Sequence, residues 1–129
     1  SEGNAPAYVL TDAETFVNGK VELVVADEMQ TFDYAELALG TSIEIQNLKV
    51  QDVYTTTNEE SSSKGAMTLT CMAGDVPVIV RTDVLFDADN NLITEEAYAG
   101  KTIDVKGIVD FYDGTYQIKV FSANNITIK

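Results

Sequence analysis

Apolar side chains alternate with polar ones through most of this sequence, in short β-branched runs set between turn clusters, the pattern of strands rather than helices. Val21 to Val25 makes a short apolar strand entered through the turn dipeptide Asn18-Gly19. Residues 31 to 39 mix good helix formers behind a possible Thr31 cap and predict one or two helical turns. From Thr41 to Tyr54 the run is long enough for two strands, and its apolar parity slips. Ile43 and Ile45 share a face, Leu48 and Val50 follow in the next register, and Val53 returns to the first. Strand side chains alternate with period two, so each slip demands a bulge, and a long bulged strand lets a sheet curl and close on itself.

The polar stretch from Thr55 to Gly65 holds no apolar residue and predicts a solvated loop. Met67, Leu69 and Cys71 then alternate with threonines, and Val76 to Thr82 returns after a turn at Ala73-Gly74-Asp75. Val84-Leu85-Phe86 reads as an apolar patch packed beneath the sheet, followed by the acidic loop at 87–91 and a short, partly helical Leu92 to Ala99. Lys101 to Tyr112 places Ile103, Val105, Val109 and Phe111 on one face with Gly107 among them, the position for a bend at a barrel corner. Asp113-Gly114 is a favoured hairpin turn. Tyr116, Ile118 and Val120 continue inward after it, with Gln117, Lys119 and Phe121 outward.

Composition narrows the chemistry. The 129 residues suit one domain, or one domain with an extension, and no apolar run approaches the roughly 20 residues needed to cross a bilayer. Twenty-one acidic against eight basic residues give a net charge of −13, which argues against duplex binding and anionic membranes but leaves room for a local basic groove. One cysteine and no histidine exclude an internal disulfide, a Cys/His metal site and every His-activated nucleophile. The small polar start, Ser-Glu-Gly-Asn-Ala-Pro-Ala, reads as the tether left by a cleaved leader or lipid anchor, or by trimming.

A long bulged strand, a hairpin, a short helical connection and a second hairpin make the order of an oligonucleotide/oligosaccharide-binding (OB) fold. The run Gly100-Lys101-Thr102-Ile103-Asp104-Val105-Lys106-Gly107-Ile108-Val109, followed by Asp113-Gly114-Thr115-Tyr116-Gln117-Ile118, resembles the last hairpin of OB domains in secreted and lipid-anchored Bacteroidetes proteins. The resemblance implies an all-β protein with minor helix: a five-stranded Greek-key barrel over residues 40 to 129, preceded by an extension over residues 1 to 39. It also implies a bacterial, extracytoplasmic setting.

On such a barrel, ligands lie on the face of the second and third strands, flanked by the loops after the first and fourth. The expected ligand contacts are Tyr54, Arg81, Tyr112, Lys119 and Phe121, whose aromatic rings suit stacking on sugars or bases. Parity assigns Phe111 and Tyr116 to the core instead. Asp87, Asp89 and Asn91 begin like a calcium loop, but Leu92 and Tyr98 stand where that motif needs Gly and Glu, and Asp and Asn also bond their own backbone in turns. The carboxylates Glu59-Glu60, Glu95-Glu96, Asp27-Glu28 and Asp87/Asp89 fall in expected loops, turns or short connections and read as solvated surface rather than an acid/base pair. Cys71 reads as a small buried hydrophobe. The expectation is a non-catalytic accessory module without a cofactor, binding a glycan or protein partner. Single-stranded nucleic acid is the alternative, and a positive groove lined by Lys49, Arg81, Lys106 and Lys119 would favour it.

Overall fold

A computed structural model describes residues 8–11, 13–55, 66–73, 75–112 and 114–129. Its main sheet is a closed barrel of five strands: β4 (Ser42–Thr55), β5 (Met67–Ala73), β6 (Val76–Thr82), β7 (Thr102–Tyr112) and β8 (Thr115–Val120). The order around the barrel is β4-β5-β6-β8-β7 and back to β4, with all neighbours antiparallel except the parallel pair β6–β8. That circuit is the OB arrangement the sequence implied.

The predicted bulges in the first barrel strand are present, on a single unbroken strand. Pairing of β4 with β7 shifts between Ile45 and Leu48, and pairing with β5 shifts between Val50 and Asp52. Asn47 takes the left-handed turn of the first bulge at φ 62°, a conformation asparagine tolerates better than most residues. Its amide donates to Asp104 Oδ1 at 2.9 Å, and its Oδ1 accepts from Lys129 Nζ at 3.1 Å. The first slip keeps Leu48 and Val50 inside the barrel with Ile43 and Ile45, and the second returns Val53 to pack against the core. Met67, Leu69, Cys71, Val78, Val80, Ile103, Val105, Val109, Ile118 and Val120 complete the interior. Burying a Val, Leu or Ile side chain is worth about 1.5–3 kcal/mol, so this lining is the main stabilising term.

Two short strands extend the sheet beyond the five. β1 (Tyr8–Leu10) runs parallel to the start of β4, and β9 (Ile126–Ile128) pairs with β7. Between β1 and β4 lie helix α1 (Glu14–Asn18), a separate hairpin of β2 (Lys20–Val25) and β3 (Glu28–Asp33), and helix α2 (Tyr34–Ala38). Phe16, Ala35 and Ala38 from the helices join the core, and Tyr8 packs edge-on against Tyr34 at 5.5 Å. The hairpin leaves Leu23, Val24, Val25 and Met29 exposed, with Lys20 of β2 paired to Asp33 of β3. Among the described residues, no helix is long and apolar enough to cross a membrane.

Three local expectations need correction. The helical turns expected over 31–39 begin only at Tyr34, because Thr31 to Asp33 pair with Lys20 to Glu22 in the hairpin. In the patch at 84–86 only Leu85 is buried, while Phe86 is exposed and bridges to Leu92. Phe111 is 49% exposed although its parity points inward, because the end of β7 outruns the barrel. There it packs edge-on against Tyr116 at 4.8 Å, and Tyr116 is partly buried against the core.

Candidate functional site

The parallel pairing of β6 with β8 brings residues far apart in sequence onto one outward face. Cross-strand partners share a face, so each register pair sets a row of side chains. Tyr54, Thr68, Arg81 and Lys119 form one row across β4, β5, β6 and β8. The next row holds Thr70, Ile79, Gln117 and Asp110. At the hairpin end stand Tyr112 and Thr115, and at the opposite end lie Phe121 and Asp83, whose amide donates to the Val120 carbonyl at 2.9 Å.

Over these rows runs an open groove of about 730 Å³. Four of the five expected contacts line it: Arg81, Tyr112, Lys119 and Phe121. Tyr54 does not line it but stands at the end of the Arg81 row, beyond Thr68, with 62% of its surface exposed. Tyr112 and Phe121, at 69% and 56% exposure, set exposed rings at the two ends. Six residues along β8 and its exit separate those ends, which at about 3.3 Å per residue makes a groove of roughly 20 Å. The loop expected to flank it at 56–65 lies outside the described residues, as does Asp113 of the hairpin turn.

The groove floor is ordered by hydrogen bonds. Arg81 Nη1 donates to Thr68 Oγ1 at 2.8 Å, which fixes the guanidinium across the row. Gln117 Nε2 donates to Asp110 Oδ2 at 3.0 Å, and Lys119 Nζ sits 5.7 Å from the centre of the Phe121 ring. Beneath the floor Thr82 Oγ1, buried, accepts from the Met67 amide at 3.0 Å. Sequence reasoning missed Asp83, Asp110 and Gln117. Pairing of Tyr112 with Thr115 carries the register that sets Asp110 opposite Gln117, and the Asp-Gly dipeptide between them in the sequence made that pair recoverable; no local signal marks Asp83.

The electrostatics are mixed. Arg81 and Lys119 face Asp83 and Asp110 in the same groove. Lys106 is elsewhere, bridged to Glu44 at 3.6 Å in a small polar recess with Asp104 and Asn125. Lys49 is exposed on the same outward face, beside Met72. Among the described residues, two of the four cations expected for a basic track, Arg81 and Lys119, line the groove.

Elsewhere the loop at 87–91 closes on itself. Asp87 Oδ1 accepts from the amides of Asp89 and Asn91, both at 2.9 Å, and Asn90 turns at φ 64°. This is the geometry of an Asx turn. Among the described residues, no three His, Cys, Asp or Glu side chains converge as a metal site requires. Cys71 is fully buried, and burial pushes its thiol up to about 12. Burial raises the hydroxyl of Tyr98, and burial followed by the neighbouring Tyr8 raises that of Tyr34.

No protein-family model and no curated protein matches this sequence. Among solved structures, the fold is similar to a chain of a replication protein A heterotrimer bound to single-stranded DNA. The TM-score is 0.49 at 11% identity, covering 88% of this chain and 75% of that one.

Proposed function

We propose that this domain is a non-catalytic accessory module that binds an oligosaccharide along the β5–β6–β8 groove. One observation carries the reading: exposed rings, Tyr112 and Phe121, stand at the two ends of a floor made of hydrogen-bonding side chains. Aromatic faces stack on sugar rings, while paired donors and acceptors such as Arg81, Gln117 and Asp110 match hydroxyl groups, which both donate and accept. Acidic surface charge does not oppose an uncharged ligand. The likeness of the 100–118 hairpin to those of secreted and lipid-anchored bacterial domains supports an extracytoplasmic setting.

Single-stranded nucleic acid is the second reading, favoured by Arg81 and Lys119 lying side by side near the same rings. Titrating the protein with a polysaccharide panel and with oligo-dT at low salt separates the two. Saccharide binding that weakens about tenfold in Tyr112→Ala, the scale of one lost stacking contact, supports the first. Oligo-dT affinity falling steeply with salt overturns it. Binding of neither points to protein docking.

A further inference from the structure

Charges in the groove follow an order. Arg81 and Lys119 are direct partners across β6 and β8 and occupy the middle row. Two residues back along both strands, Gln117 holds Asp110; two residues onward, Asp83 lies beside Phe121. At about 3.3 Å per residue, a carboxylate is therefore stepped roughly 7 Å along the strands to either side of the cation pair, Asp83 in line with Arg81 beyond β6 and Asp110 one strand over on β7. Lys20, Lys106 and Lys129 are satisfied by Asp33, Glu44 and Asp104, whereas Arg81 and Lys119, like Lys49 and Lys101 outside the groove, have no ion-pair partner among the described residues. Arg81 is already positioned by Thr68, which lowers the cost of presenting its remaining N–H groups to a ligand.

We infer that the groove recognises an acidic sugar set between neutral ones, its carboxylate held by Arg81 and Lys119 and its neighbours' hydroxyls donated to Asp110 and Asp83. This rests on the oligosaccharide reading above and names the ligand class within it. A guanidinium fork and an ammonium side by side suit a single planar carboxylate, which accepts a bidentate pair from arginine. The flanking aspartates need donors, and a sugar hydroxyl supplies one. A ligand charged at every unit, whether a homopolyuronate or a nucleic acid strand, would set its next anions against Asp83 or Asp110, in a protein already at −13. The same −,+,− order thus selects for one isolated anion and against a run of them.

Isothermal titration of the full chain at low salt tests this with three probes. They are an oligosaccharide alternating uronic acid with neutral sugars, the same compound with each carboxylate reduced to an alcohol, and a homopolyuronate of equal length. The alternating probe binds about tenfold more tightly than its reduced form, the scale of one charge-assisted contact, and more tightly than the homopolymer. Arg81→Gln lowers the alternating probe's affinity more than the reduced probe's, so that the preference between them disappears, and Lys119→Gln does the same in part. Thermal unfolding of each variant verifies the fold. Equal affinity for the alternating and reduced probes would sink the acidic-sugar inference and leave the oligosaccharide reading standing. Absence of binding to either would sink both. A homopolymer that binds as well as the alternating probe would refute the role given to the flanking aspartates.

Discussion

Replacing Gly107 with alanine probes the corner where the barrel closes. One residue beyond it, at Ile108, the pairing of β7 with β4 ends and its pairing with β8 begins. A Cβ on Gly107 would lie 2.3 Å from the Lys119 carbonyl oxygen and 2.7 Å from Ile118 Cγ2. Ordinary contact starts near 3.4 Å, so the β8 backbone would have to retreat by about 1.1 Å. A carbonyl in a ladder cannot swing aside as a side chain can. Overpacking costs about 1–3 kcal/mol, and a strained or broken ladder hydrogen bond adds about 0.5–1.5 kcal/mol. Against this, alanine stiffens the unfolded chain and returns about 0.4–1 kcal/mol. The expected net loss is about 2–3 kcal/mol, or roughly 10 °C in Tm for a chain of this length. Urea unfolding followed by far-UV circular dichroism measures it as a lower midpoint at unchanged slope. Gly114→Ala is the control: its φ of 80° imposes strain of about 1–2 kcal/mol, but nothing lies within 4 Å of the new methyl. A Gly107→Ala loss below about 0.5 kcal/mol would refute the close-approach reasoning. Since Lys119 is the residue displaced, the variant also loosens the cation row in the groove.

Other outcomes are expected from the same structure. Thr82→Val leaves the Met67 amide without its buried acceptor and costs about 1–3 kcal/mol in the same urea assay. Cys71 resists a thiol reagent in the native state at pH 8 and reacts once the chain is unfolded in urea, because burial holds its thiol up to about 12. That raised thiol also sets an alkaline sign. Above the unfolded value of 9.0 the unfolded chain loses the proton while the native state keeps it, so stability falls as pH rises from 9.0 towards about 12. Its limiting slope is about 1.4 kcal/mol per pH unit, measured by urea midpoints at pH 8, 9.5 and 10.5. Met29→Lys, on the exposed hairpin, changes stability by less than about 0.5 kcal/mol, and a larger loss would mean the hairpin packs more tightly than its exposure indicates.

The barrel was legible because its strands are wet on one side. Ile43 to Val50, Met67 to Cys71 and Ile103 to Val109 advertise their buried faces by alternation, and the parity slips mark the bulges. Alternation says nothing about where a strand leaves the barrel, which is why Phe111 was misplaced. β3 was invisible for the converse reason: solvated on both faces, Glu28–Asp33 carries no alternating pattern to read. The candidate site was half legible. Outward parity singled out Lys119, and turn spacing singled out Tyr112. The Arg81–Lys119 partnership depends on a parallel contact between strands that are not consecutive, and no local pattern encodes it.

The seam between β4 and β7 has a kinetic consequence. Its partners lie between 53 and 66 positions apart in the chain, from Lys49 with Thr102 to Ser42 with Ile108. Loop closure over such spans is costly before contacts reward it, and barrels of this kind fold on the order of milliseconds to seconds. Until the seam forms, two long strand edges stand unpaired, ready to template association with another copy. Chains that each carry thirteen excess negative charges repel one another during that interval. The acidity of the folded surface thus also shields the unfinished barrel.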